Sequence, residues 1–154
     1  MKSIIIYYSN SGTTRKLAEQ VHEAFPGELI EVVPKVPYGG YLAAVRRAGK
    51  ENRKGIIAEY TAPDLDLSDI DTIFVGYPIW YSKAPSFLRD YLKRYDLTGK
   101  RVIPFSTAGA NNIKVTLENF KEAIPDADLV LPYNYTKREK DDFDLWVKKV
   151  KGEA

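Results

Sequence analysis

Cysteine is absent from this 154-residue sequence, and histidine and methionine occur only once each. Without cysteine the chain cannot form disulfides, thiolate nucleophiles, zinc–thiolate sites or iron–sulfur clusters. A single histidine also excludes a histidine-based metal cluster, although carboxylate sites stay open. Any redox role therefore requires a bound organic cofactor, because no side chain of this sequence can carry it.

Long apolar runs and a charge excess are missing as well. No stretch approaches the roughly 20 apolar residues of a membrane span, and the run from Ile4 to Tyr8 is too short for a signal peptide. The 23 Lys and Arg against 21 Asp and Glu give a net charge of +2, which favours neither a nucleic-acid partner nor an acidic tail. We expect a single domain over residues 1–154, located in the cytoplasm, with no membrane or nucleic-acid partner.

Apolar runs alternate along the chain with segments of helical periodicity, as in a parallel sheet covered on both faces. Helical segments lie at 13–25, at 41–49, from about residue 85 to 99, and around 117–124 and 143–150. The pattern predicts an α/β fold with a doubly wound five-stranded parallel sheet of order 2-1-3-4-5 between two helical layers. Because Pro104 cannot donate to the ladder, we expect an irregularity there. The predicted strands are Ser3–Tyr8, Leu29–Val33, Thr72–Gly76, Arg101–Ser106 and Asp128–Tyr135.

Charge is distributed unevenly within the near-neutral total. Residues 38–58 hold five Lys or Arg side chains and one acid, Glu51, so this stretch is either a solvated helix face or a docking patch. The next stretch, from Glu59 to Ser82, holds five acids and no base. We expect those acids to give a negative field beside the ligand site.

Ligands of such sheets bind beyond the carboxyl ends of the strands near the switch in strand order, which here means the loops after the first, third and fourth strands. The first of these, Ser9-Asn10-Ser11-Gly12-Thr13-Thr14, places hydroxyls and an amide where a helix begins. Free N–H groups and the positive end of the helix dipole make such a turn an anion site without Lys or Arg. A single Ser or Thr as helix cap is the plainer interpretation of this loop.

Several other phosphate-binding proteins are excluded by residue type. The sequence contains neither the Gly-x-x-x-x-Gly-Lys-Ser/Thr loop nor the dinucleotide-binding Gly-x-Gly-x-x-Gly motif. A phosphatase with a cysteine nucleophile is impossible, and the first strand does not end in the acids of a phospho-acceptor domain.

The other two loops point to a flat ligand. Tyr77–Lys83 places aromatic side chains at a strand end, where exposure is costly unless they pack on the protein or are covered by a planar ligand. Ser106–Asn112 is small and rich in backbone donors, which permits close approach to a ring edge. A phosphate at one loop and a flat ring between the other two describe flavin mononucleotide (FMN).

The sequence resembles the flavodoxin family over nearly its whole length. The resemblance is carried by Tyr8–Thr14, by Gly76–Tyr81 and by Tyr95–Thr107. It implies that the first loop holds the phosphate of FMN, that Trp80 stacks on the ring, and that the third loop lines its opposite edge. The expected cofactor-binding residues are Ser9, Asn10, Ser11, Gly12, Thr13, Thr14, Pro78, Ile79, Trp80, Tyr81, Ser82, Thr107, Ala108, Gly109, Ala110 and Asn111.

The same resemblance implies a flavodoxin, a low-potential carrier that shuttles single electrons between transient redox partners, a reductase and an acceptor. We expect a monomer with FMN as cofactor, no metal and no catalytic side chain. The alternative on this fold is an FMN-dependent NAD(P)H:quinone or azo-compound reductase, which needs room over the ring for its substrates. A binding module without flavin is the third alternative.

Overall fold

The computed structural model describes residues 1–109, 111–136 and 142–153. Eight strands and five helices follow one another along these residues. In chain order they are β1 (Ser3–Tyr7), α1 (Thr13–Ala24), β2 (Gly27–Glu31), β3 (Val33–Pro34), α2 (Tyr41–Lys54), β4 (Tyr60–Thr61), β5 (Thr72–Pro78), α3 (Ser86–Lys93), β6 (Arg101–Ala108), α4 (Lys114–Ala123), β7 (Asp128–Leu129), β8 (Tyr133–Thr136) and α5 (Phe143–Val150).

The main sheet is parallel and confirms the predicted topology. Its order is β2-β1-β5-β6-β7, with β8 pairing β6 beside β7, so that β7 and β8 together occupy the place of the predicted fifth strand. Successive side chains of a strand point to opposite faces of the sheet. Ile4 and Ile6 accordingly join the apolar core under α2, α3 and α4, while Ile5 and Tyr7 join the core under α1 and α5. The result is three layers with a core on each face of the sheet.

The irregularity expected at Pro104 is present, but it affects the strand next to it. β6 itself is continuous from Arg101 to Ala108. Val102 accepts a hydrogen bond from Val130 on the outer side of β6, and Pro104, two residues further, faces the same side. Pro104 has no N–H to offer there. The outer strand is interrupted opposite it, between Leu129 and Tyr133, where Leu131 adopts a φ of 50°. The fifth strand is therefore two short segments, β7 and β8, instead of the continuous strand that the sequence suggested.

Several other predicted elements differ from the structure in their bounds; the third helix, for example, ends at Lys93, where the sequence suggested about residue 99. The second strand begins at Gly27, immediately after α1 and its following turn, and ends at Glu31, where Leu29–Val33 was expected. The second helix continues to Lys54 and ends at Gly55, which has a φ of 65° and closes the helix in the left-handed conformation. A small antiparallel ribbon of β3 and β4 lies outside the main sheet.

The acidic stretch lies mainly at the amino ends of the strands, away from the loops expected to bind the ligand. The Asp71 carboxylate accepts a hydrogen bond from the Lys2 N–H just before β1, at 3.0 Å. Lys100, just before β6, donates to the carbonyls of Leu67 and Ile70. The expectation that these acids create a negative field beside the site is therefore wrong for the turn at 66–71.

Among the described residues, no helix is both long enough and apolar enough to cross a lipid bilayer.

Candidate functional site

The first loop is organised around the hydroxyl of Ser9. Its Oγ accepts hydrogen bonds from the N–H groups of Gly12 and Arg15, each at 3.1 Å. Ser9 therefore satisfies N–H groups at the start of α1, although Gly12 occupies the N-cap position. Gly12 has a φ of 93°, a left-handed conformation that side chains disfavour and glycine adopts freely. One hydroxyl therefore does the capping, and the rest of the loop is left for another purpose.

The remaining donors of this turn are free to meet an anion. The Lys16 N–H is bonded to the Gly12 carbonyl, whereas the N–H groups of Thr13 and Thr14 have no hydrogen-bond partner within the described part of the chain. The side chains of Ser11 and Thr13 lie 3.3 Å apart, Oγ to Oγ1. Together with the positive end of the α1 dipole, these groups have the arrangement that an anion site requires, in the loop for which the sequence predicts one.

The buried Tyr8 and the partly exposed Asn10 hold the middle of the same loop. The Tyr8 hydroxyl donates to Oδ1 of Asn10 at 3.0 Å, and the Asn10 amide donates to the carbonyl of Gly39 at 3.0 Å. Burial raises the pKa of Tyr8, so its hydroxyl keeps the proton that it donates. Asn10 thus ties the loop after β1 to the segment that leads into α2.

One buried contact joins the first and third loops. Oγ1 of Thr14 and Oγ1 of Thr107 lie 2.8 Å apart, and both residues are buried. The carbonyl of Thr107 also accepts a hydrogen bond from the N–H of Ile79, at 3.3 Å, which brings the second loop to the same point. The three loops that the sequence singles out therefore meet at the carboxyl edge of β1, β5 and β6.

A cavity of about 550 Å³ opens between these loops. This volume lies within the range of small-molecule sites. None of the described residues that line it carries a charge, so no carboxylate among them would repel a phosphate. They are Ser11, Thr13, Tyr41, Pro78, Ile79, Thr107, Ala108, Gly109, Asn111 and Tyr135.

Eight of these ten residues are among those expected to bind the cofactor. Four further expected residues do not line the cavity and instead hold the first loop in place, through the hydrogen bonds just described or, for Gly12, through the turn itself; they are Ser9, Asn10, Gly12 and Thr14. Ala110 lies outside the described residues. The remaining three, Trp80, Tyr81 and Ser82, do not line the cavity and belong to a hairpin at the end of β5.

The structure places Trp80 in the core, away from the cavity. Its side chain is only 4% exposed and contacts two tyrosines, with ring centroids 4.9 Å from Tyr38 and 5.6 Å from Tyr8. Burying the indole among aromatic rings is worth more to the protein than leaving it exposed at a strand end. The implied stacking of Trp80 on the ring is not realised in this arrangement and stays a prediction.

The hairpin that follows Trp80 has an unusual backbone. Trp80 and Lys83 exchange two hydrogen bonds of 3.1 Å each, so Tyr81 and Ser82 form a two-residue turn. Their φ angles are 50° and 59°, as in a type I′ turn, which normally carries Asn or Gly at these positions. Left-handed conformation in ordinary residues costs about 1–2 kcal/mol each, so this turn is strained next to the cavity.

Two cavity residues escaped the sequence reasoning, Tyr41 and Tyr135. Tyr135 lies in β8, at the carboxyl end of the fifth strand position, and the rule that ligands bind beyond carboxyl ends applies there as well. Tyr41 begins α2 after Gly39 and Gly40, and is 72% exposed. Among the described residues that line the cavity, these two tyrosines are the aromatic ones. Tyr41 belongs to α2 and Tyr135 to β8.

A flavodoxin family model matches residues 2–150, whereas the curated proteins contain no match to this sequence. Among solved structures, a candidate flavoprotein from Bacteroides eggerthii is 25% identical, with a TM-score of 0.78 over 98% of this chain and 94% of that chain. Another, from Bacteroides uniformis, is 24% identical, with a TM-score of 0.82 over 97% of each chain. A Lactobacillus acidophilus flavoprotein in complex with FMN is 24% identical, with a TM-score of 0.73 over 94% of this chain and 97% of that chain. All three share the fold of this chain.

Replacing Ser82 by glycine tests the strain in the hairpin. We expect Ser82→Gly to raise the free energy of unfolding by about 0.5–1 kcal/mol, because relief of the left-handed strain exceeds the entropy that glycine loses on folding. The measurement is urea unfolding followed by circular dichroism. The matched control is Ser86→Gly at the first residue of α3, which has helical backbone and should lose about 0.5 kcal/mol. A loss of stability in both variants would show that the turn is not strained.

Proposed function

The chain belongs to the flavodoxin family, and on this premise we propose that it binds FMN in the cavity beyond β1, β5 and β6 and carries single electrons between redox partners. The observation that supports the proposal most directly is the pairing of a turn with free N–H and hydroxyl donors and a cavity of about 550 Å³ whose described lining carries no charge. FMN has a phosphate at one end and a flat, conjugated ring at the other, and this site offers a place for each.

At the phosphate end, the described residues offer backbone and hydroxyl donors and no cation. Ser11 and Thr13 would donate their hydroxyls, and Thr13 and Thr14 their N–H groups, while Ser9 holds the turn in place. Charge-assisted hydrogen bonds of this kind are about twice as strong as neutral ones. Arg15, the nearest base in sequence, does not contribute, because both carboxylate oxygens of Glu31 accept from its guanidinium at 2.7 and 2.8 Å.

At the ring end, small side chains leave the backbone accessible and two tyrosines supply aromatic surface. Ala108 and Gly109 allow main-chain groups to approach the polar edge of the ring. Tyr41 and Tyr135 provide flat, amphipathic faces, which we propose as neighbours of the ring in place of the buried Trp80. Pro78 and Ile79 add apolar surface to the cavity wall, which would exclude water from the ring.

When bound, FMN supplies the one-electron chemistry that no side chain of this cysteine-free chain provides. The chain's own residues position the cofactor and set the polarity around it. We favour a carrier over an NAD(P)H-dependent reductase because the flavodoxin family model matches nearly the whole chain, residues 2–150.

The phosphate end is tested by comparing two ligands that differ only there. We expect Ser11→Asp to weaken FMN binding by about tenfold or more through charge repulsion, and to leave riboflavin binding within about twofold of the parent chain. Quenching of flavin fluorescence on titration measures both affinities. The matched control is Ser68→Asp, the same change in an exposed turn at the amino edge, which should alter neither. Equal losses for FMN and riboflavin would contradict phosphate binding at this turn, and failure of the parent chain to take up FMN would refute the proposed function.

The aromatic surroundings of the ring are tested by removing Tyr135 from the cavity and, for comparison, by changing Trp80 in the core. We expect Tyr135→Ala to weaken FMN and riboflavin binding alike by about fivefold, since stacking on an aromatic side chain contributes roughly 1 kcal/mol. Trp80→Phe, which keeps an aromatic ring in the core, should leave both affinities within about threefold and lower stability instead. The reverse pattern would show that the hairpin rearranges and brings the indole onto the ring, as the family resemblance implies.

Carrier and reductase differ in how they accept electrons. We expect FMN-loaded protein mixed anaerobically with NADH or NADPH in a stopped-flow instrument to be reduced no faster than free FMN. The same protein should be reduced fully by dithionite, which controls for an inaccessible cofactor. Rapid reduction that saturates with NADH or NADPH concentration would identify a reductase.

A further inference from the structure

Beside the cavity lies an exposed surface that the FMN site does not use. We name it the α2–hairpin face and define it by Tyr41, Leu42, Arg46, Arg53, Tyr81 and Lys83. Leu42 is 79% exposed and Tyr81 is 54% exposed. Large apolar side chains grouped at a surface, with polar residues around them, are typical of protein interaction sites.

The hairpin and α2 are fitted to one another, so this face is continuous. The ring of Tyr81 rests against Gly49, so closely that a Cβ there would lie 2.7 Å from Cε2 of Tyr81. Gly49, Arg53, Tyr81 and Lys83 line a groove of about 300 Å³. The face begins at the cavity, because Tyr41 lines the cavity wall and is the first residue of α2.

The exposed charges of this face and of the adjoining surface of α2 are positive, and most of them form no ion pair with the described residues. The one acid of α2, Glu51, is only 5% exposed and is already engaged, since it lies 2.9 Å from Nε of Arg47 and accepts a hydrogen bond from Tyr38 at 2.8 Å. The four exposed cations of the helix make no ion pair within the described part of the chain, and neither does Lys83 of the hairpin. Those four are Arg46, Lys50, Arg53 and Lys54.

A second groove of about 210 Å³ continues from the first and contains Arg89, which is half-buried. Nε of Arg89 donates to the carbonyl of Ala84 at 3.1 Å, and no carboxylate among the described residues forms an ion pair with its guanidinium. Asp90, also in this groove, accepts from the Tyr60 hydroxyl at 2.7 Å and from Arg94. Burial lowers the pKa of Arg89, and an anionic side chain inserted into the groove would offset that loss of hydration.

From these observations we propose that the α2–hairpin face docks an acidic redox protein, with Tyr41, Leu42 and Tyr81 at the centre of the contact and the unpaired cations around it. Charge complementarity selects the partner: an acidic surface pairs with these cations, whereas a basic one is repelled. The consequence for electron transfer rests on the proposed function, because docking there brings the partner against Tyr41 at the mouth of the FMN cavity.

The test uses a small, strongly acidic [2Fe–2S] ferredoxin as the probe and measures its binding to the flavin-free chain by isothermal titration calorimetry. We expect binding to weaken by about tenfold or more between low salt and 200 mM salt, because exposed charges are screened over about a Debye length. The double variant Arg46→Glu with Arg53→Glu should weaken low-salt binding by about tenfold or more. The matched control, Lys148→Glu with Lys149→Glu on the exposed side of α5, makes the same charge change and should stay within threefold of the parent chain.

A separate variant tests the apolar centre. Leu42→Ser should weaken binding of the same ferredoxin about fivefold at both salt concentrations, since it removes apolar contact without changing charge. Circular dichroism and urea unfolding verify that each variant is folded. Equal effects of the α2 and α5 charge reversals would overturn the proposal, and so would ferredoxin binding that ignores salt. Self-association of the chain in analytical ultracentrifugation, abolished by Arg46→Glu with Arg53→Glu, would assign the face to a second copy instead.

The calorimetry does not require FMN, so its result is separate from the proposed function. If ferredoxin binds but FMN does not, the proposed electron-carrier function is refuted and the proposed docking of an acidic protein is retained. If FMN binds but ferredoxin does not, the electron-carrier function is retained and the proposed docking face is refuted. With both present, reduced ferredoxin should reduce the FMN-loaded chain, and the rate should fall by about tenfold or more in the α2 double variant.

Discussion

The in-register parallel pairing of β1, β5 and β6 is the constraint on which the rest of the molecule depends. Tyr7 pairs with Gly76, and Gly76 pairs with Phe105, so the three strands end at the same edge of the sheet. Glycine is required at the centre of this row, because a Cβ on Gly76 would lie 2.2 Å from Cε2 of the fully buried Phe105. The close approach of these two residues holds β5 and β6 in register, and hence fixes the relative positions of the loops that follow them.

Side-chain and backbone contacts then convert that shared edge into a preformed site. Thr107 is bonded to Thr14 through its hydroxyl and to Ile79 through its carbonyl, so one residue of β6 connects all three loops. Each such bond contributes about 1 kcal/mol to stability. Their larger effect is on binding, because loops that are already ordered lose little conformational entropy when a ligand arrives. The strained turn at Tyr81 and Ser82 is held beside this rigid frame by its two hydrogen bonds.

The sequence is informative where one physical rule decides the outcome. Apolar runs and helical periods predict the layers, and the carboxyl-edge rule brings Ser11, Ile79 and Gly109 to one cavity. It is less informative where neighbours compete. Composition alone leaves open whether Trp80 faces the ligand or the core, and the aromatic cluster around Tyr38 decides for the core. The gap between β7 and β8 depends on the missing N–H of Pro104 in another strand, which a strand-by-strand interpretation overlooks.

Net charge conceals the electrostatic character of this molecule. The total of +2 suggests an unremarkable surface, yet Asp66, Asp69 and Asp71 lie at the amino edge, while α2 presents its unpaired cations from the cavity to the hairpin. Both stretches belong to the connection between β2 and β5. The basic stretch forms α2, which begins at the cavity, whereas the acidic stretch that follows returns to the amino edge of the sheet. An approaching charged protein responds to the nearer surface, since charges more than a Debye length away are screened. The orientation of a charged partner therefore depends on the positions of the exposed cations and hardly at all on the net charge of the protein.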